Sequence, residues 1–122
     1  MDFSFSEQEK MLQSEAADFA AKEIAPRAAE IDRTGRFPQR LVEKMGRHGF
    51  HGLPFPARYG GSGAGYLSYA LVMDQICRAS MTVGAIMAVN TVPEEAIFRF
   101  GTEKQKQQYL KPLAGGEWLG GI

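Results

Sequence analysis

The sequence predicts an all-α fold, a helical bundle of about six helices. Two capping boxes mark helix starts, one joining Ser6 to Glu9 and one joining Thr102 to Gln105. In each box the two side chains satisfy each other's otherwise unpaired backbone N–H groups. Apolar residues recur at three- and four-residue steps along most of the chain, which is the helical period. Alternating strand patterns are almost absent, so helices account for nearly all of the predicted structure.

The first predicted helix begins after Ser6 and keeps one apolar face to about Ala25. Pro26 has no N–H for the helical hydrogen-bond ladder, so we expect the helix to kink or end there. A second helix follows at once through Ile31. It stops at Gly35, because glycine readily adopts the left-handed conformation of a helix cap.

The third predicted helix opens at Phe37 and Pro38, since proline is well placed in a first helical turn. Its short apolar face consists of Leu41, Val42 and Met45. Residues 50–65 then become rich in glycine, proline and aromatic side chains. That composition predicts a long irregular loop of the kind that is often functional or packed by its own side chains.

The second half of the chain returns to helical spacing at residues 66–77. Residues 81–92 are apolar nearly all round, which predicts a buried central helix. We expect Pro93 to restart the chain in a new short helix, and a last helix to run from Thr102 to about Ala114. Residues 118–122 set large apolar side chains among glycines, and we expect them to begin a strand that continues beyond this sequence.

Composition excludes several functional classes. The 122 residues carry 14 basic and 14 acidic side chains, so the net charge of zero argues against a nucleic-acid partner. No apolar run is long enough to predict a membrane span. The single cysteine, Cys77, cannot form an internal disulfide, and the start of the chain lacks the features of a targeting segment. The expected location is the cytoplasm, or a mitochondrial matrix if a leader was removed.

Residues capable of chemistry do not combine into a catalytic or metal site. The glycines at 60–65 lack the preceding strand of a phosphate-binding loop, so we interpret them as a flexible turn. His48 and His51 have no further ligands nearby and are expected on the surface or in a loop. The pattern predicts a buried, inert thiol at Cys77. Glu94, Glu95 and Glu103 are interpreted as first-turn residues that favour the helix dipole.

Six segments, in this order and at this spacing, carry a resemblance to a known family. They are 19–26 (FAAKEIAP), 37–38 (FP), 45–52 (MGRHGFHG), 56–63 (PARYGGSG), 100–106 (FGTEKQK) and 109–117 (YLKPLAGGE). The sequence resembles the N-terminal helical domain of the acyl-CoA dehydrogenases from about residue 3 to residue 122. The resemblance implies that residues 1–122 are that domain, and that a flavin-contacting β-domain and a C-terminal helical domain lie beyond the sequence.

The resemblance also implies an activity. Members of the family oxidise acyl-CoA thioesters: a carboxylate removes the α-proton while a hydride leaves the β-carbon for FAD. No residue here matches that catalytic base, and no metal is implied. Residues 81–92 match the family's acyl-lining helix, and position implies that four small side chains would lie nearest the substrate: Ala85, Ala88, Val89 and Val92. An electron-transfer acceptor and a homo-oligomer are the further partners implied.

Two other interpretations stay open on the sequence. The chain would be a free-standing helical module that binds or assembles with a partner, or part of a flavin oxidase or monooxygenase on the same scaffold. If the chain is instead part of an acyl-CoA dehydrogenase, we expect the domain alone to be inactive, to bind no flavin and to expose an apolar face that promotes self-association.

Overall fold

The computed structural model describes residues 1–122 and contains only helices and loops. The α-helices are α1 (Glu7–Phe19), α2 (Ala25–Thr34), α3 (Gln39–Arg47), α4 (Gly65–Ala79), α5 (Met81–Phe100), α6 (Glu103–Gln105) and α7 (Lys111–Ala114). The predicted all-α class is confirmed. None of the helices is both long enough and apolar enough to cross a bilayer.

Two prolines are accommodated by π turns instead of ending their helices. The π turn Ala20–Ile24 joins α1 to α2, and Lys106–Leu110 joins α6 to α7. In each case the residue just before proline donates its N–H five residues back, from Ala25 to the Ala20 carbonyl and from Lys111 to the Lys106 carbonyl. The wider π turn makes room for the proline ring where an α-helix would crowd it. The chain therefore stays helical from residue 7 through residue 34.

The predicted helix restart at Pro93 is wrong. α5 is one helix of 20 residues with Pro93 inside it, and its start is capped by the Ser80 hydroxyl, which accepts from the Val83 N–H. Glu94 and Glu95 consequently lie within a long helix and not in a first turn. Glu103 does lie in the first turn of α6, as predicted, and both capping boxes are present.

The core lies where α1 packs on α4 and α4 packs on α5. It is built from aliphatic and aromatic side chains that are fully or nearly fully buried, among them Ile24, Met45, Phe50, Ile76 and Met87. The helices α4 and α5 approach so closely that a Cβ on Gly84 would overlap the Cys77 sulfur. Close packing of this kind fixes the rotation of α5 about its own axis, and therefore which of its faces turns outward.

The glycine-rich loop is packed tightly and is not the flexible turn that the sequence suggests. It contains two short 3₁₀ turns, Phe50–Gly52 and Ala57–Tyr59. A Cβ on Gly61 would overlap the carbonyl oxygens of Phe55 and Gly52, so backbone packs on backbone there. The loop buries Phe55 and Tyr59 in a second apolar cluster that also takes in Leu110 and Ala114.

Residues 118–122 form no strand here, since the chain offers no second strand to pair with them. Within this segment the Gly120 backbone instead lies against α5. The Gly120 N–H donates to the Asn90 side-chain oxygen at 2.6 Å.

Substituting the packed glycine tests this account of the loop. Gly61→Ala is expected to lower the free energy of unfolding by about 3 kcal/mol, because neither carbonyl can move without displacing the loop. Gly63→Ala is the matched control: Gly63 has a φ of 65° but nothing within 4 Å of its Cβ position, so the expected loss is about 1 kcal/mol. Urea unfolding followed by circular dichroism measures both, and equal losses would contradict the packing argument.

Candidate functional site

Helix α5 has one buried and one exposed apolar face. Val83 and Met87 are completely buried against the core. The four residues singled out from the sequence all lie on the opposite, exposed face: Ala85, Ala88, Val89 and Val92. Val89 is 40% exposed and Val92 48% exposed. The prediction of a fully buried central helix is therefore right for one face of α5 and wrong for the other.

An apolar groove of about 580 Å³ runs along the N-terminal half of this exposed face. We call it the α5 groove, and its lining residues are Phe37, Met81, Thr82, Ala85, Ile86, Val89, Leu119 and Gly120. The structure thus places Ala85 and Val89 in the groove, while Ala88 and Val92 continue the same helix face outside it. The volume falls in the range of sites that hold small organic ligands.

The groove carries no ionisable side chain on its lining. Its one hydroxyl, on Thr82, donates to the Asp32 carboxylate at 3.2 Å and so ties α5 to α2. The remaining lining groups are aliphatic, aromatic or backbone. Such a surface favours an aliphatic group, because the gain comes from removing apolar area from water.

The far wall of the groove comes from the C-terminal segment, which the sequence analysis did not include in the site. Leu119 and Gly120 lie beside α5, with Gly120 held by the hydrogen bond to Asn90. A Cβ on Gly120 would overlap the ring of Pro93, so the absence of a side chain permits this approach. The signals in the sequence were Asn90, a polar residue in a mostly apolar run, and the large apolar side chains among the glycines of residues 118–122.

Beneath this wall lies a buried carboxyl group, that of Glu94, which is 0% exposed. Its Oε1 accepts from the Asn90 side-chain nitrogen at 3.2 Å, and its Oε2 has no hydrogen-bond partner. Desolvation raises the pKa of Glu94 to about 8, and the hydrogen bond from Asn90 opposes that rise. The neutral form of Glu94 therefore predominates at pH 7.

The other acidic residues considered from the sequence face elsewhere. Glu95 accepts from Tyr66 and from Arg99 on the surface, and these hydrogen bonds and the Arg99 charge lower its pKa against the opposing effect of burial. Glu103 accepts from Tyr59 at 2.6 Å, which lowers the pKa of Glu103. Neither residue lines the α5 groove.

The two histidines differ from one another. His48 is exposed and lies 2.8 Å from the Glu15 carboxylate, in agreement with the prediction. His51 lies in the loop, as one of the two predicted alternatives, but it is 1% exposed and therefore not on the surface. Its Nε2–H donates to the Val42 carbonyl at 3.1 Å, and burial lowers its pKa. The tight turn after α3 carries this ring inward, which spacing alone did not indicate.

Cys77 is half-buried between α4 and α5, and burial raises the pKa of its thiol. That is the opposite of the shift an activated nucleophile needs. No three His, Cys, Asp or Glu side chains converge on a point where they would hold a metal ion.

A second cleft, of about 550 Å³, lies between α2 and α3 and is lined mainly by charged and polar groups. Within it the Lys44 ammonium lies 2.7 Å from the Glu23 carboxylate, and the hydrogen bond from Lys44 lowers the pKa of Glu23. None of the residues predicted to bind substrate lies in this cleft.

The fold and the groove define an all-helical domain with an apolar binding surface beside a long central helix. Comparison with known proteins gives the family. Residues 6–117 match the family model described as acyl-CoA dehydrogenase, N-terminal domain. The chain belongs to the acyl-CoA dehydrogenase family through this N-terminal domain.

Individual relatives agree. A probable acyl-CoA dehydrogenase of Bacillus subtilis is 42% identical over 121 residues, which are 98% of this chain and 32% of that protein. A short-chain specific acyl-CoA dehydrogenase of Clostridium acetobutylicum is 41% identical over 98% of this chain and 32% of its own length. The structure of butyryl-CoA dehydrogenase from Megasphaera elsdenii superposes with a TM-score of 0.93 at 31% identity, covering 98% of this chain and 32% of that one. The chain thus spans about a third of the length of these relatives.

The buried carboxyl group predicts a distinctive dependence of stability on pH. The pKa of Glu94 rises from 4.5 to about 8 on folding, so the folded protein holds this proton more tightly than the unfolded chain. The contribution of Glu94 to stability therefore falls as pH rises from about 5 to about 8, by up to about 1.4 kcal/mol per pH unit. Glu94→Gln removes the titrating group, and we expect it to flatten this part of the profile.

Urea unfolding at a series of pH values between 5 and 9 measures the two slopes. Glu117→Gln is the control, because Glu117 is exposed and should leave the slope as in the wild type. A Glu94→Gln profile parallel to the wild-type profile would contradict the assignment.

Proposed function

We propose that residues 1–122 are the N-terminal helical domain of a flavin-dependent acyl-CoA dehydrogenase, and that the α5 groove holds the acyl chain of the thioester. The complete enzyme is called the holoenzyme below. One observation carries the proposal: in a chain that belongs to this family, the α5 groove is an exposed apolar surface with Ala85 and Val89 on its floor. The reaction proposed for the holoenzyme is α,β-dehydrogenation of acyl-CoA in fatty acid metabolism.

The contribution of this chain to the reaction is binding and exclusion of water. Each methylene group buried in the groove contributes about 0.8 kcal/mol to binding. The small side chains Ala85 and Val89 leave room for the alkyl chain beside the helix backbone. No carboxylate lines the groove, so the base that removes the α-proton belongs to another part of the holoenzyme, and we assign no catalytic residue here.

The exposed face of α5 also fits one side of a flavin site. Ala88 and Val92 extend the apolar surface beyond the groove with side chains that are short and uncharged. The groove offers no cation for a pyrophosphate, so the phosphates of FAD would be held by other parts of the holoenzyme. Bound FAD supplies the hydride acceptor, and the role of these residues is to present a dry, apolar wall to it.

The proposal includes the partners and location that the family implies. The substrate is an acyl-CoA, the electrons pass to a separate electron-transfer protein, and the holoenzyme is a homo-oligomer. Exposed apolar residues outside the groove, Val92 and Phe100 among them, are the surfaces that further domains or subunits would cover. The expected compartment is the cytoplasm, or the mitochondrial matrix in a eukaryote.

Anaerobic titration of the holoenzyme with saturated acyl-CoA thioesters tests the activity. We expect the visible absorbance of the oxidised flavin to bleach with one or more chain lengths, and the corresponding enoyl-CoA to form. Failure of every saturated acyl-CoA to reduce the flavin would exclude the proposal. Rapid reoxidation by oxygen with release of peroxide would instead show an oxidase on the same scaffold.

Bulk on the groove floor should shorten the acyl chain that is accepted. Ala85→Phe is expected to raise the KM of the holoenzyme for its preferred acyl-CoA at least tenfold and to move the preference to a shorter chain, because the ring fills part of the groove. Ala70→Phe is the matched control, since Ala70 is exposed on α4 and does not line the groove. Steady-state kinetics over a series of chain lengths measures the shift, and the same length preference in both variants would count against the binding mode.

A further inference from the structure

Asn90 joins the C-terminal segment to a buried group in α5. It is 1% exposed, and both ends of its amide are used. Its Oδ1 accepts from the Gly120 N–H at 2.6 Å, and its Nδ2 donates to Glu94 Oε1 at 3.2 Å. The two hydrogen bonds form a short relay from the helix interior to the backbone of the groove wall.

The Gly120 N–H can only donate, and together with Glu94 it holds the Asn90 amide in one orientation. With the amide rotated by half a turn, its nitrogen would face the Gly120 N–H, and two donors would oppose each other. In that orientation the Asn90 oxygen would face Glu94. In the observed orientation the Asn90 oxygen accepts from the Gly120 N–H, and Glu94 Oε1 accepts from the Asn90 nitrogen, so both ends of the amide are paired.

The segment held by this relay forms one side of the α5 groove. Gly120 sits against the Pro93 ring, and Leu119 lies beside it with 40% of its surface exposed. The Glu117 and Trp118 N–H groups both donate to the Pro112 carbonyl and hold the chain up to residue 118, and the hydrogen bond from Gly120 to Asn90 then holds the segment against α5. The distance between this wall and the groove floor therefore depends on the Asn90 relay.

We propose that Asn90 and Glu94 are positioning residues that hold Leu119 and Gly120 as the side wall of the α5 groove and thereby set the length of acyl group that fits. The identity of the substrate in this inference rests on the proposed function. The positioning of the groove wall rests on the hydrogen-bond geometry alone. Neither residue touches the substrate. Glu94 acts on Asn90, and Asn90 acts on the Gly120 backbone.

Amide hydrogen exchange on the 122-residue chain tests the relay without any assay of activity. In the wild type the Gly120 amide should exchange at least tenfold more slowly than the Gly121 amide, since exchange requires the hydrogen bond to open. Asn90→Leu should remove that protection. Glu94→Leu should speed Gly120 exchange about threefold, whereas Glu94→Gln keeps an acceptor oxygen and should behave like the wild type.

Thr91→Val is the control for the loss of a buried hydrogen bond elsewhere on α5, because Thr91 donates to the Met87 carbonyl and not to the segment. It should leave Gly120 exchange unchanged. If Asn90→Leu fails to fold, the comparison of Gly120 with Gly121 in the wild type still decides the question. Equal exchange at the two glycines would overturn the proposal.

Kinetics of the holoenzyme test the consequence for specificity. Asn90→Leu should raise KM at least fivefold for the preferred acyl-CoA and broaden acceptance toward longer chains, with kcat for the best substrate within twofold. Glu94→Gln should keep the wild-type chain-length profile, whereas Glu94→Leu should lose it. An unchanged length profile in a variant with faster Gly120 exchange would overturn the specificity inference. A wild-type holoenzyme inactive on every acyl-CoA would overturn the proposed function instead. The hydrogen-exchange result would still test the Asn90 relay, because it does not depend on activity.

Discussion

The packing of α5 on α4 is the constraint on which the rest of the structure depends. Because Gly84 has no side chain, the α5 backbone packs directly against the Cys77 sulfur of α4. With α5 in this orientation, Val83 and Met87 point into the core. A helix that is apolar nearly all round must then present its other apolar face outward. The α5 groove, the exposed valines and the place where the C-terminal segment lies all follow from that rotation.

Local signals in the sequence predicted local structure well. The capping boxes at Ser6 and Thr102 depend on residues three apart, and both are present. Proline was harder to predict, because prolines in this chain had two different outcomes. Pro26 follows a π turn, and Pro93 lies inside an α-helix where Gly120 packs on its ring. The contact between Gly120 and Pro93 joins residues far apart in the chain, so the residues next to Pro93 in the sequence do not predict it.

The family resemblance predicts a substrate site on residues 81–92, and part of that stretch lines the α5 groove. Ala85 and Val89 lie in the groove, and Ala88 and Val92 lie on the same exposed face. The sequence pattern alone favoured a fully buried helix, because periodicity does not show which faces find a partner. Glu94 was misjudged for a related reason: its burial requires α5 to continue through Pro93, which the local rule for proline argued against.

The buried polar pair in α5 is difficult to explain by stability alone. Burying a carboxyl group with one unpaired oxygen is unfavourable, and the raised pKa of Glu94 is a direct expression of that cost. Leucine at this position would avoid the desolvation and add apolar contact, as replacements of buried polar groups often do. What leucine cannot do is accept the hydrogen bond from the Asn90 side-chain nitrogen. The pair therefore stabilises one arrangement of the groove wall at the expense of overall stability, which is the balance expected where the position of a backbone segment determines what binds.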